Sequence, residues 1–234
     1  MLRLSDFDAV TFDVYGTLID WEPFIVAWLS DWADEFGVKA SGEDLIMAFD
    51  RARAEIQKER PAHRYPEALR RCFDRISGEF GVAVDLARRE AFSKTPHQWP
   101  AYSDTSSGLK ALQARAQIGA LSNIDDASLA SSCEKMDIEF DVVVTAQRVG
   151  AYKPSWEHFN TALADLAAQG IPPERVLHVG QSLRADITPA NKLGLKSAWI
   201  NRPQRLLGLS GEGAAEARPD LTVESLAELL EAIG

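Results

Sequence analysis

The chain has 234 residues, 46% of them hydrophobic, which suffices for one sizeable core or for a core domain with a smaller insertion. Lys and Arg number 25 against 35 Asp and Glu, a formal net charge of −10 that points away from nucleic acid and anionic lipid as partners. No basic and apolar leader is evident, and no apolar run approaches the roughly 20 residues that span a bilayer, so a cytoplasmic location is expected.

From Asp6 to Thr17 an apolar, β-branched run ends in a Gly-containing turn, which predicts a buried strand and a loop. Trp21, Phe24, Ile25, Trp28, Leu29, Trp32 and Phe36 then recur at helical spacing, a stripe read as packing rather than as a ligand cradle. Ser41 with Asp44 resembles a capping box for a second helix carrying Leu45, Phe49, Ala52 and Ile56. Pro66 suits the first turn of a third helix, and Leu86 to Phe92 suggests a fourth. Residues 20–98 therefore read as a helical cap inserted into a core made of residues 1–19 and 99–234. Strands follow at Gln117 to Leu121, Phe140 to Thr145, Val176 to Val179 and Lys196 to Ile200. Helical patterns separate them, one opened by Ser155 after Pro154 and another from about Leu183 to Leu193. Strands alternating with helices predict an α/β fold with a doubly wound, Rossmann-like parallel sheet. The stretch from Leu209 to Ala217 reads as a surface loop.

In such sheets ligands sit outside the carboxyl ends of the strands. Polar residues at those ends are Asp13 and Thr17, Ser122 and Asn123, Lys153, and Gln181, Ser182 and Asp186. The segments Phe12-Asp-Val-Tyr-Gly-Thr-Leu18, Leu121-Ser-Asn123, Tyr152-Lys-Pro154 and Gly-x-Ser-x-x-x-Asp ending at Asp186 resemble, in order, the four motifs of the haloacid dehalogenase superfamily. The resemblance implies that Asp13 is a nucleophile forming an aspartyl ester that water then hydrolyses. A carboxylate is a weak nucleophile that needs desolvation and fixed geometry. An ammonium at Lys153 would keep it ionised, depressing its pKa by roughly 1 to 3 units. Thr17 would hydrogen-bond the nucleophile, and Asp186 would position Lys153 or the hydrolytic water. Ser122 and Asn123, at the head of a helix, would bind the substrate's anionic group.

Tyr15 stands where the family's phosphatases carry a second aspartate as general acid. An alkoxide leaving phosphorus must be protonated, whereas a halide leaving carbon needs only donors for its developing charge. Asp-x-Tyr-Gly-Thr thus resembles the motif of L-2-haloacid dehalogenases. Gln181 likewise stands where the phosphatases have an acidic residue that helps hold magnesium, a cation that favours hard, charged oxygens. No cofactor is expected on this reading. Tyr15, Gln181 and Ser182 join Ser122 and Asn123 as candidate substrate-binding residues.

Three departures affect the halide and water parts of the site. Phe49-Asp50 stands where the dehalogenases have Trp-Arg, so neither Arg51 nor Arg53 is assigned to the leaving halide. Phe159 replaces the family's tyrosine, and Gly180-Gln-Ser182 differs from the dehalogenases' serine- and asparagine-rich fourth motif. His178 reads as a buried, hydrogen-bonded residue, His63, His97 and His158 have no metal-ligand spacing, and Cys72 and Cys133 read as idle thiols. Asn201 and Arg202 read most simply as a turn, with bracing of the site edge as the alternative, and no site role is assigned to them. Three functions follow in order: a metal-independent 2-haloacid dehalogenase, a magnesium-dependent phosphatase on a small ester, and a non-catalytic family member. The implied partner is a small anionic substrate, with a homodimer left open.

Overall fold

The computed structural model describes residues 2–209 and 213–234. Among these, six strands form one sheet: β1 (Ala9–Phe12), β2 (Gln117–Ser122), β3 (Val142–Thr145), β4 (Val176–Gly180), β5 (Lys196–Ile200) and β6 (Leu221–Val223). Their order is β3-β2-β1-β4-β5-β6 and every neighbouring pair is parallel. All four residues of β1 and all five of β4 are buried, because helices cover both faces of the sheet.

The helices are α1 (Glu22–Glu35), α2 (Gly42–Ile56), α3 (Tyr65–Glu79), α4 (Leu86–Ser93), α5 (Thr105–Gln113), α6 (Asp126–Met136), α7 (Ala146–Val149), α8 (Glu157–Ala167), α9 (Thr188–Lys192) and α10 (Leu226–Ile233). The first four form the helical cap inserted between β1 and the rest of the sheet. The Ser41–Asp44 capping box is formed: Asp44 N donates to Ser41 Oγ at 3.1 Å, and Ser41 N donates to Asp44 Oδ2 at 2.8 Å. Ile25, Leu29 and Trp32 of the aromatic stripe are fully buried, with Trp32 packed against Phe36, Phe73 and Phe80. One apolar cluster runs without a break from Val10 and Phe12 of β1 through Leu18, Ile19, Trp21 and Trp99 into Phe49 and Phe73 of the cap.

Several elements differ from their sequence reading. Helix α8 starts at Glu157, because Tyr152 to Ser155 closes a turn with Ser155 N donating to Tyr152 O at 3.1 Å. The segment from Leu183 is not one helix: a π-helical turn (Leu183–Ile187) runs into α9, whose early Pro189 supplies no backbone donor. β3 begins at Val142, since the Asp141 carboxylate has already captured Ile118 N at 2.8 Å. Of the predicted loop, Ser210 to Glu212 lies outside the described residues, and Ala214–Glu216 forms a short 3₁₀ turn with Ala214 buried.

β2 and β3 lie on one side of β1, and β4 to β6 on the other. The winding therefore reverses between β1 and β4, and the crevice opens at their carboxyl ends. Asp13 follows β1 directly, and its N–H donates to Val179 O at 2.9 Å, so the ladder delivers the carboxylate to the mouth of that crevice.

Candidate active site

Asp13, Thr17, Ser122, Asn123, Lys153, Gln181, Ser182 and Asp186 converge from four strand ends. Gly16 turns the first loop at φ +97°, and a Cβ there would run into the Arg205 guanidinium, so glycine is required on two counts. The turn brings Thr17 back beneath Asp13. Its hydroxyl donates to Asp13 Oδ2 at 2.7 Å and accepts Gln181 N–H at 3.0 Å, tying the first motif to the fourth.

Lys153 is 2% exposed, and its ammonium donates to Asp13 Oδ1 at 2.9 Å, Asp186 Oδ1 at 2.7 Å and Leu121 O at 2.7 Å. All three ammonium protons are thereby used. Asp186 accepts Ser182 N–H on its other oxygen at 3.0 Å, and the Ser182 hydroxyl caps the following turn through Ala185 N. The Asn123 side chain holds the backbone of the lysine loop: Lys153 N donates to Oδ1 at 2.6 Å, and Nδ2 donates to Lys153 O at 3.1 Å. Its backbone N–H and the second hydrogen of Nδ2 take no part in this pair of bonds. The Ser122 hydroxyl is buried with no partner among the described residues, an arrangement that calls for a bound group or water.

Tyr15 sits on the cavity wall, but its hydroxyl is engaged away from the carboxylates, 2.6 Å from Ser132 Oγ and 3.4 Å from Ser128 O on α6. Burial pushes the phenol pKa far above its ordinary value. Behind the site, His178 Nδ1 is 3.0 Å from Thr11 Oγ1, and Nε2 lies 3.8 Å from Asp186 Oδ1. Its burial lowers the imidazole pKa, and the edge of Phe159 packs on it at 4.8 Å between centroids. His158 Nε2 donates to Ser122 O at 3.1 Å, and burial takes its pKa down to about 3. Both cysteines are free, and burial holds their thiols protonated, at about 12 for Cys72 and about 11 for Cys133.

The charge balance of the buried triad differs from the sequence expectation. Burial raises the Asp13 pKa above its ordinary value, Asp186 adds to the rise, and Lys153 and Thr17 offset it only in part. Asp186 goes the other way, because Lys153 and His178 outweigh its own burial. The two carboxylates share one ammonium, and Asp186 has the stronger hold on it. Asp13 is left ionisable but poorly stabilised, a suitable state for a nucleophile.

Over these groups lies a cavity of about 690 Å³ whose ceiling is α2 of the cap. In a chain of charge −10, its walls carry Arg53, Lys58, Arg60, Lys153 and Arg184 against Asp13, Asp50 and Asp186. The site thus concentrates positive charge locally.

A model of haloacid dehalogenase-like hydrolases matches residues 7–194. The chain belongs to that family. Within it, the phosphoglycolate phosphatase of Escherichia coli (strain K12) is 27% identical over an alignment 262 positions long, gaps included, spanning 100% of this chain and 95% of that protein. Among solved structures, an L-2-haloacid dehalogenase matches with a TM-score of 0.75 at 25% identity, covering 97% of this chain and 98% of the other. The L-2-haloacid dehalogenase from Xanthobacter autotrophicus gives 0.77 at 20% identity over 97% and 98%, a likeness of fold. Relatives by sequence and neighbours by fold thus carry different activities within one hydrolase family.

Two arginines of this family member gain a place that the sequence did not assign. Arg51 points away and pairs with Glu79, whereas Arg53 lines the cavity, pairs with Asp50 and lies over Trp21 at 5.3 Å and Phe49 at 6.0 Å. Arg202, read as a turn residue, is 6% exposed and donates to Thr17 O from Nη2 at 2.9 Å and Nε at 3.2 Å. It also grips Asp104 through two bonds of 2.8 and 2.9 Å, and its guanidinium lies 4.1 Å from the Tyr102 ring centroid. It therefore braces the peptide that carries the Thr17 hydroxyl. Arg202→Met should lower kcat by about 10²-fold through misplacement of the Asp13 loop, with a smaller change in KM. Loss confined to KM in steady-state kinetics would contradict this positioning role.

Proposed function

We propose that the protein is a metal-independent dehalogenase of 2-haloacids. The observation that carries this reading is Tyr15. It occupies the position of the phosphatases' general acid, yet its hydroxyl is committed to Ser132, and its raised pKa removes it further from proton donation at a leaving oxygen. A leaving group that needs no proton suits this site, and halide is one.

In the proposed reaction an Asp13 carboxylate oxygen attacks the α-carbon, the carbon–halogen bond breaks, and the electron pair departs with the halide. The substrate carboxylate sits on the Ser122 and Asn123 backbone N–H groups, and Arg53 offers charge to the departing halide. Water then attacks the ester carbonyl carbon of Asp13, which releases the 2-hydroxy acid, frees the carboxylate and yields one proton to solvent.

Magnesium fits these residues poorly. It asks for near-octahedral oxygen ligands at about 2.0–2.1 Å. All four oxygens of Asp13 and Asp186 already accept hydrogen bonds, two of them from the Lys153 ammonium that bridges the pair. The Gln181 amide oxygen is uncharged and packs against Gly208. No step is routed through a metal.

The sequence relatives and the unpartnered Gln181 Oε1 favour a second reading, a magnesium-dependent phosphatase. The test is halide and phosphate release from a panel of 2-haloacids and small phosphate esters, with and without a chelator. Halide release that persists in chelator is the expected result, and phosphate release that requires magnesium overturns it.

The pH profile supplies an independent check. Asp13 acts ionised and its pKa is raised, so activity falls with decreasing pH at values above those of an ordinary carboxylate. The neighbouring carboxylates raise the Lys153 pKa against its burial, so the alkaline limb lies above that of a free lysine. A broad plateau reaching into alkaline pH is expected for kcat/KM. A narrow bell about neutrality would instead report a general acid.

A further inference from the structure

The ceiling of the cavity says what lies beyond the reacting carbon. Helix α2 buries Leu45, Phe49, Ala52 and Ile56 in the cap, and with its C-cap Gln57 it lines the cavity through Met47, Asp50, Arg53, Ala54 and Gln57. The second set recurs at three- and four-residue spacing, so it forms one continuous stripe. Three of its five members are polar, and the chain that leaves the helix adds Lys58 and Arg60 to the same wall. An alkyl tail would leave this stripe unmatched and desolvated.

The charges along the stripe are unequal in their commitments. Lys153 is taken by Asp13 and Asp186, Arg53 by Asp50, and Lys58 by Glu55 at 2.6 Å. Among the described residues Arg60 forms no ion pair or hydrogen bond with a carboxylate, although Glu157 lies close enough to feel its charge: Nη1 donates to Gln57 O at 2.8 Å and Glu59 O at 2.9 Å. Its guanidinium lies 5.8 Å from the Tyr152 ring centroid. Tyr152 is fixed in turn, accepting His63 N–H at 2.9 Å and donating to His63 O at 3.3 Å. No hydrogen bond among the described residues takes Nη2 or Nε of Arg60, which form a fork that matches a carboxylate. From the core side Arg184 lines the same cavity. The volume of about 690 Å³ falls in the range of roughly 300–1,000 Å³ that encloses drug-sized ligands, well beyond a three-carbon acid.

We propose that the preferred substrate is a 2-halo dicarboxylate, with its α-carboxylate and halide at the Asp13 end and its second carboxylate on Arg60 beneath α2. This rests on the dehalogenase reading and adds the substrate class to it. The chemistry at the α-carbon is unchanged, and the second carboxylate takes part only in binding.

The test compares kcat/KM of the full-length enzyme for 2-chlorosuccinate and 2-chloroglutarate with that for 2-chloropropionate and 2-chlorohexanoate. A preference for the better diacid of at least about tenfold is expected from one added charge-assisted contact. Arg60→Gln should shrink that preference toward one, chiefly through KM of the diacid. Arg60 is exposed and its hydrogen bonds are local, so the variant retains the fold. Preference for the alkyl acid, or a diacid preference that survives Arg60→Gln, overturns the proposal. Absence of halide from all four acids overturns the dehalogenase reading itself.

Discussion

Asp13→Asn is expected to lower turnover by at least about 10⁴-fold, the scale of losing a nucleophile from a group that acts as a unit. The variant should still fold, because Thr17 and Lys153 each make other hydrogen bonds that hold their positions. The same chemistry predicts where oxygen goes. In a single turnover of the native enzyme in ¹⁸O-water, the product hydroxyl carries the original Asp13 oxygen, and the heavy atom stays on the Asp13 carboxylate. Mass spectrometry of the peptide containing Asp13 reads this directly. Label appearing in the product alone during that first turnover would mean that water attacks the substrate, and Asp13 would lose its assigned role.

Lys153→Met has a double consequence. The methionine side chain is of similar length, but it leaves Asp13 and Asp186 facing each other in a buried place without their shared cation. Removing one partner of such a group costs about 3–5 kcal/mol of folding stability, visible as a lower denaturation midpoint at neutral pH. The opposing influence that tempers the raised Asp13 pKa is also gone, so the acid limb of any remaining activity moves to still higher pH. A rate loss of about 10²- to 10³-fold is expected at the native plateau. A variant with native stability and an unmoved acid limb would show that Lys153 does not govern the charge on Asp13.

The parallel sheet was readable because its strands are short, largely apolar runs, most clearly Val142-Val-Val-Thr145, and because helical spacing separates them. The candidate site followed from that pattern together with the four motifs, since a doubly wound sheet gathers strand ends into one crevice. β6 left no comparable trace: it is three residues long at the sheet edge, with only Val223 buried. Arg202 was unreadable for another reason. It reaches Thr17 O across 185 residues of sequence, and nothing local distinguishes it from any arginine before a proline. Arg51 and Arg53 differ only in which side of α2 they occupy, which the cap's packing decides. For Asp13, the sequence indicated the ammonium beside it, but the depth of burial that outweighs that charge is a property of the assembled fold.

The apolar cluster that runs from β1 through Trp21 and Trp99 into the cap bears on how the enzyme opens and unfolds. A lid hung on two linkers can swing because little but solvent lies beneath its hinge. Here the connection is filled by tightly packed rings, with Trp21 and Trp99 centroids 6.1 Å apart and Trp21 and Phe49 5.6 Å apart. Lifting the cap would expose that seam to water, so substrate exchange through the standing mouth of the cavity is the cheaper route. By the same token cap and core are expected to share one cooperative melting transition, and a lesion in the seam would be felt by both halves at once.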